Sequence, residues 1–204
     1  MNKRALFHGF WQKLGSIIVI AGLALCALLA LGYLAGARLN MTTSLPMGLY
    51  WVSGQAIQRG VYVRFCPPAI GAFAEAKERG YLHVGSCPSG YVPLLKRVSG
   101  VPGDTIDIDM REVRVNGVDL PFSAAQTSDR AGRSLPRPDR SHVVLTASQL
   151  WVMSDTNPRS FDSRYFGPIE RAWVKDVIRP VVTWGYGGTL QRLAGSEAEK
   201  NSHG

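Results

Sequence analysis

Ser44 and Lys96 are the residues of this chain that best suit covalent acyl transfer. A serine hydroxyl is a weak nucleophile that needs an adjacent base, and a neutral lysine amine can serve as that base. Ser44 lies seven residues beyond an uncharged apolar stretch, and Pro46 and Gly48 favour a constrained turn around it. Thr42, two residues earlier, points to the same side in an extended segment and could donate to an oxyanion beside the Ser44 N–H. The segment suits a nucleophile, although a polar stretch next to a membrane has a similar composition.

Lys96 lies in a hydrophobic strand pattern in which Leu94, Lys96 and Val98 share one face. Apolar neighbours on that face predict that the amine is removed from water. Complete burial lowers a lysine pKa by up to about 3–5 units, which would leave a neutral amine able to take the Ser44 proton. The alternative is a lysine at a sheet edge whose amine reaches solvent.

Carboxylates, serines and arginines are concentrated in the segment 153–167, which follows a predicted strand. Ser160 could hydrogen-bond the Lys96 amine, and Asp162 with Arg164 could form an ion pair that braces the site. Asp155 is a further supporting candidate, although a solvated polar loop would look similar. Zinc chemistry and a Ser-His-Asp triad are disfavoured because the histidines are dispersed. We therefore predict no metal and no cofactor. The histidines lie at positions 8, 83, 142 and 203.

The chain has 204 residues and a net charge of +8, which suits one membrane anchor plus one domain. Its basic residues are scattered and form no run interleaved with aromatic residues. A nucleic-acid partner is therefore not expected. Attraction to anionic lipid headgroups accounts better for the positive charge.

The stretch 16–37 carries no charge and matches the about 20 apolar residues that cross a bilayer as a helix. Basic residues at 3, 4 and 13 precede it, so the positive-inside rule places residues 1–15 in the cytoplasm and the body of the chain outside. A cleaved signal peptide is the alternative, because Ala35-Gly-Ala37 has small residues at a suitable spacing. The apolar stretch exceeds the about 7–15 residues of a typical signal, which favours a retained anchor.

Cys66 and Cys87 both lie in the part of the chain that is predicted to be exported. In an oxidising compartment such a pair is expected to form a disulfide. The residues between them include a short helical pattern at 69–78, so the bridge would attach this insertion to the core. Two unpaired thiols are the alternative. Cys26, in the apolar stretch, is interpreted as a small packing residue.

Beyond the anchor the pattern is mostly β, with short runs of Val, Ile, Tyr and Trp between glycines and prolines. Asn116-Gly117 predicts a two-residue hairpin and Pro102-Gly103 a further turn. Residues 123–141 are predicted to form a polar surface loop, and residues 185–204 a flexible tail. The expected architecture is a compact, mostly β domain over 38–184 with few helices and one transmembrane helix. The predicted strands are 49–53, 61–65, 92–98, 105–109, 112–115, 143–146, 150–153 and 173–184.

Three segments of the chain resemble, in order, the sequence boxes of the type I signal peptidase family. They are Thr42-Thr-Ser44-Leu-Pro46, the run from Lys96 to Asp104, and Asp155 together with Ser160 to Gly167. The resemblance implies a signal-peptidase fold with Ser44 as nucleophile, Lys96 as general base and Thr42 at the oxyanion position. Ser154 stands where that family has glycine, and Thr156 where it has asparagine.

The spacing Asn40-x-Thr42-x-Ser44-x-Pro46-x-Gly48-x-Tyr50 is similar to that of the TraF branch, the conjugative-transfer signal peptidases. This resemblance implies a bacterial inner-membrane protein with one span and a periplasmic catalytic domain. It also implies an exported protein substrate such as the pilin of a plasmid mating apparatus, which some members of the branch join into a ring. Membrane lipid and other proteins of the transfer apparatus are the further expected partners.

The function expected from these residues is that of a membrane-anchored serine endopeptidase with a Ser44/Lys96 dyad that processes an exported precursor. One alternative is a housekeeping signal peptidase with broad export substrates. The other is an anchored assembly protein of the transfer channel that has no catalytic activity, which leaves the coincidence of the three boxes unexplained.

Overall fold

The computed structural model describes residues 3–109, 111–138 and 141–184. The chain divides into two units, residues 1–38 and residues 39–204. The predicted tail at 185–204 lies outside the described residues.

The first unit contains the helix α1, Lys3–Leu34. Its segment Lys13–Leu34 has a mean hydropathy of 2.7, so its length and composition suffice to cross a membrane, as do those of some signal sequences. The helix ends three residues before the predicted limit at residue 37. Gly36 follows with a φ of 111°, a conformation that glycine adopts easily and that ends a helix.

From residue 37 onward the described chain consists mainly of antiparallel strands. They are β1 (Ala37–Asn40), β2 (Met47–Ser53), β3 (Tyr62–Phe65), β4 (Leu94–Gly100), β5 (Thr105–Ile108), β6 (Val113–Val115), β7 (Val118–Asp119), β8 (His142–Val144), β9 (Gln149–Met153), β10 (Ile169–Glu170) and β11 (Val174–Trp184). The larger sheet has the order β1-β2-β11-β3-β4-β9-β10, and a smaller sheet has the order β7-β6-β5-β8. The helices described among these strands are α2 (Gly71–Glu78), α3 (Ser163–Phe166) and the short 3₁₀ helix Arg171–Trp173. The mostly β fold predicted from the sequence is confirmed.

Strand β9 is buried on both faces and joins the two main parts of the core. Leu150 and Val152 pack into the cluster that contains Val63, whereas Trp151 and Met153 pack against residues of the smaller sheet. This division follows from the alternation of side chains along a strand. Because both faces are covered, β9 reads in the sequence as a continuous apolar run.

The insertion between β3 and β4 contains α2 and is closed by a disulfide between Cys66 and Cys87. The predicted disulfide is therefore confirmed, and a bridge across a loop of this length contributes about 3 kcal/mol in the chain-entropy model. Phe73 and Ala76 point from α2 into the core. The insertion is thus held both covalently and by apolar packing.

The predicted strands are each present, with ends that shift by one to a few residues. The hairpin at Asn116-Gly117 joins β6 to β7, and its two residues have φ values of 53° and 78°, as a type I′ turn requires. The strands β1, β7 and β10 are not among the predicted strands, although the hairpin signal at Asn116-Gly117 implies a strand at the position of β7. β10 has only two residues, and β1 directly follows the apolar stretch, so neither shows a clear period of two.

Candidate active site

The turn between β1 and β2 carries Ser44. Leu45, the next residue, is 1% exposed and packs with Tyr50 and Ile178. The Tyr50 hydroxyl donates to the Pro46 carbonyl oxygen at 2.7 Å. Burial of Leu45 anchors the turn, and Ser44 consequently faces a cleft instead of the core.

Lys96 lies in the interior of the larger sheet, on β4 opposite Val63 of β3. It is 1% exposed, so the amine does not reach solvent and the sheet-edge alternative is wrong. Its Nζ atom lies 2.8 Å from Ser44 Oγ. Burial is the main cause that lowers the pKa of Lys96 to about 8, and the nearby Asp162 partly opposes this effect.

Ser160 is the second hydroxyl at the Lys96 amine. Its Oγ accepts a hydrogen bond from Nζ at 2.7 Å and lies 3.4 Å from Ser44 Oγ. The Ser160 backbone N–H donates to Asn157 O at 3.1 Å, and its carbonyl oxygen accepts Arg164 Nη2 at 3.1 Å, so the backbone that carries the hydroxyl is held on both sides. The amine is therefore held between two serine hydroxyls, as the sequence predicts for Ser160.

Asp162 and Arg164 form an ion pair in which both side chains are fully buried. The carboxylate receives Arg164 Nε and Nη2, each at 2.8 Å. Asp162 Oδ2 also accepts the Ser154 backbone N–H at 3.1 Å. A guanidinium offers several donors in a fixed plane. Arg164 therefore binds the loop before α3 and also chain segments that are distant from it in sequence. Its backbone acceptors include the carbonyl oxygens of Phe122, Ala124, Pro158 and Ser160.

Asp155 lies apart from this pair. Within the described residues its carboxylate accepts hydrogen bonds from Arg97 Nη1 at 3.1 Å and the Tyr62 hydroxyl at 3.4 Å, and not from Ser44 or Lys96. Burial raises the pKa of Tyr62 to about 12, and the Asp155 charge adds to the effect. A supporting role of Asp155 therefore stays a prediction. Through Arg97 it contacts the face of β4 opposite to the one that carries Lys96.

Thr42 donates its hydroxyl to Asn40 Oδ1 at 2.8 Å, and its backbone N–H to the same atom at 3.0 Å. The Thr42 hydroxyl would have to break its hydrogen bond to Asn40 before it could donate to an oxyanion. The oxyanion role of Thr42 therefore stays a prediction. The Ser44 backbone N–H donates to no acceptor in the part of the chain that the structure describes. It is thus free to bind a developing oxyanion.

A cleft of about 1080 Å³ runs beside Ser44, Lys96 and Ser160. One wall comes from the loop 126–135 and another from Tyr81, which follows α2. The Tyr81 hydroxyl donates to Asp129, which also receives Arg133 Nε at 2.7 Å. The sequence predicted the loop 126–135 only as part of a polar surface segment. No local pattern indicates that this loop contacts Tyr81 and forms a cleft with it.

Two arginines at the cleft, Arg130 and Arg159, are exposed. Neither guanidinium has a carboxylate partner among the described side chains, whereas Asp129 is already paired with Arg133. The cleft consequently carries uncompensated positive charge.

A serine next to a buried lysine amine on a mostly β scaffold suits a serine peptidase. Comparison with known proteins assigns the chain to the same class. A family model described as signal peptidase, peptidase S26, matches residues 10–182. The chain belongs to this family of serine peptidases.

More particular similarity is found to transfer proteins. The plasmid transfer protein TraF of Escherichia coli is 49% identical over 173 residues, which cover 85% of this chain and 97% of that protein. The conjugal transfer protein TraF of Agrobacterium tumefaciens (strain 15955) is 38% identical over 168 residues, or 80% and 92% of the two chains. A solved signal peptidase I of Enterococcus faecalis is 24% identical with a TM-score of 0.34, covering 62% of this chain and all of that one.

Proposed function

We propose that this protein is a membrane-anchored serine endopeptidase of conjugative transfer, in which Lys96 activates Ser44. The observation that carries the proposal is the 2.8 Å contact between Lys96 Nζ and Ser44 Oγ, made by an amine that is 1% exposed. The similarity to plasmid and conjugal transfer proteins supports the biological setting.

The first half of the reaction forms an ester on Ser44. Neutral Lys96 takes the proton of Ser44 Oγ as that oxygen attacks the carbonyl carbon of the substrate. Ser160 accepts one N–H of the amine and so directs the nitrogen lone pair towards Ser44. The Ser44 N–H stabilises the oxyanion, with Thr42 as the expected second donor. The Lys96 ammonium then gives its proton to the leaving nitrogen as the C–N bond breaks.

The second half of the reaction releases the acyl group from Ser44. If water attacks the ester, Lys96 takes a proton from the water and returns it to Ser44 Oγ, and the product has a new free carboxylate. If the substrate's own N-terminal amine attacks, the same proton transfers give a cyclic peptide. Both products come from one acyl-enzyme, and the pilin of a transfer system is the substrate we propose.

The proposal is tested with purified enzyme and a pilin precursor. We expect Ser44→Ala and Lys96→Ala to leave the precursor uncut, whereas the matched variants Ser148→Ala and Lys175→Ala, which change exposed side chains, process it normally. Full processing by Ser44→Ala or Lys96→Ala would refute the dyad. Mass spectrometry of the product separates hydrolysis from cyclisation, because the cyclic product is lighter by one water.

Two further experiments address the alternatives. Rescue of a strain depleted of its own signal peptidase would favour a housekeeping enzyme with broad substrates. Normal pilus assembly by Ser44→Ala, together with no labelling of Ser44 by an acylating inhibitor, would favour a non-catalytic assembly protein.

The proposed topology has residues 1–15 in the cytoplasm, one span, and the catalytic domain in the periplasm of a bacterial inner membrane. Protease added to spheroplasts should digest the domain and leave the anchor protected. A domain that resists digestion until the membrane is permeabilised would contradict this orientation.

A further inference from the structure

We propose that Asn40 is the positioning residue of the nucleophile, because its carboxamide folds the turn 42–46 into the shape that presents Ser44 to Lys96. The inference rests on the proposed role of Ser44. Asn40 lies at the end of β1 and is 1% exposed, so its polar atoms are satisfied within the protein.

The oxygen of the Asn40 side chain binds the first half of the turn. Oδ1 accepts the Thr42 backbone N–H at 3.0 Å and the Thr42 hydroxyl at 2.8 Å. One atom thereby fixes both the backbone and the side chain of the residue that stands two positions before Ser44.

The nitrogen of the same side chain binds the second half of the turn. Nδ2 lies 3.1 Å from the Leu45 carbonyl oxygen and 3.1 Å from that of Pro46. It also approaches the Thr42 carbonyl oxygen at 3.2 Å. The amide therefore contacts the chain on both sides of Ser44 without contacting Ser44 itself.

These contacts reinforce the backbone turn at residues 43 and 44. The carboxamide bonds reach from Thr42 to Pro46 and so extend over the whole turn. Pro46 has no N–H to offer. Leu45 is fixed by burial and Pro46 by the Tyr50 hydroxyl. Only the Asn40 carboxamide among these groups joins the two halves of the turn.

Loss of the Asn40 bonds should lower kcat, because the Ser44 hydroxyl must stay within hydrogen-bonding distance of Lys96 in the reactive orientation. A displacement of about 1 Å from the reactive geometry can reduce a rate by about 100-fold. Asn40→Ala removes every one of the carboxamide contacts. Asn40→Asp keeps an acceptor for Thr42 but replaces the donor that faces the carbonyl oxygens of Leu45 and Pro46 with a second oxygen.

The test compares steady-state kinetics of full-length Asn40→Ala and Asn40→Asp with those of the wild-type enzyme on a pilin-precursor peptide. We expect kcat per folded molecule to fall about 100-fold in Asn40→Ala and KM to change much less, because Tyr81 and the loop 126–135, which form most of the remaining cleft wall, are untouched. The kinetic pKa should stay near 8, because the surroundings of Lys96 on β4 are untouched. We expect Asn40→Asp to lose a similar factor, because the donor to the second half of the turn is gone.

Asn116→Ala is the matched control. Its carboxamide also binds backbone, accepting the Thr105 N–H at 2.9 Å, but it lies in the hairpin of the smaller sheet. We expect this variant to lose thermal stability while kcat per folded molecule is unchanged. Folded fractions are measured by circular dichroism at the assay temperature.

Either of two results would overturn the positioning role. One is a kcat for folded Asn40→Ala within about twofold of wild type, and the other is an equal loss in Asn116→Ala. Failure of the proposed function is distinct, because it would appear as cleavage by Ser44→Ala. If Ser44→Ala is inactive and Asn40→Ala is fully active, only the inference about Asn40 fails.

Discussion

The pKa of Lys96 sets the acylation rate in the proposed mechanism. The structure lowers this pKa from 10.5 to about 8, mainly through burial, with Arg164 adding to the effect and Asp162 opposing it. At pH 7 about one amine in ten is then neutral, against about one in 3,000 for a solvated lysine. Burial thus increases the amount of active base about 300-fold at this pH.

The assay is the pH dependence of kcat/KM for a peptide substrate between about pH 6 and pH 10. We expect a rise of about tenfold per pH unit below pH 8 and a plateau above it, because only the neutral amine accepts the Ser44 proton. A rise that continues to pH 10 would show that Lys96 is solvated and refute the reasoning. An inflection near 6.5 would indicate a histidine as the base.

The same pKa predicts a stability effect with a definite sign. Unfolded Lys96 keeps its proton up to about pH 10.5, whereas the folded amine loses it above about pH 8. The unfolded state therefore binds more protons in this window, and the free energy of unfolding rises with pH across it, by about 3 kcal/mol in total. Lys96→Met should abolish this rise in urea denaturation. The exposed Lys175→Met, the matched control, should retain it.

Three further predictions concern the surroundings of the dyad. Asp162→Asn leaves the buried Arg164 charge unpaired and should lower the free energy of unfolding by about 3–5 kcal/mol, measured by urea denaturation. Tyr81→Phe removes the hydroxyl that donates to Asp129, so we expect a several-fold higher KM with unchanged kcat in peptide kinetics. Arg159→Glu reverses a charge at the cleft and should raise KM for acidic peptides more than for neutral ones, compared in paired assays.

Each of these predictions has a result that would contradict it. The exposed Asp119→Asn is the control for Asp162→Asn, and equal stability of the two variants would show that the buried pair is not needed. An unchanged KM in Tyr81→Phe would mean that this contact does not shape the cleft. For Arg159→Glu, an equal loss on acidic and neutral peptides would exclude charge recognition, and Arg171→Glu, also exposed, should affect neither.

The strands were predictable because their signals are local. The alternation around Lys96 predicted both a strand and a buried amine, and β4 has Lys96 and Val98 buried with Arg97 exposed. The hairpin at Asn116-Gly117 was predictable because a type I′ turn needs two residues that tolerate positive φ. The strand β10 was missed because a two-residue element has no period to detect.

Parts of the candidate site depend on contacts between segments far apart in the chain. Tyr81 and Asp129 are 48 positions apart, and nothing near either residue indicates that their contact joins two walls of a cleft. The contacts of Asp155 with Arg97 and Tyr62 likewise could not be predicted, because they depend on which strands are neighbours.

The sequence by itself determined the residue types for the chemistry, the apolar helix, the strand pattern and the cysteine pair. These follow from composition and from periodicity along a few neighbouring residues. The tertiary structure alone decided that Lys96 Nζ lies 2.8 Å from Ser44 Oγ and 2.7 Å from Ser160 Oγ, across 52 and 64 positions. It also decided that the Asn40 carboxamide binds both halves of the turn 42–46. Such contacts arise when the strands pair and the core excludes water, and the pKa of Lys96 falls for the same reason.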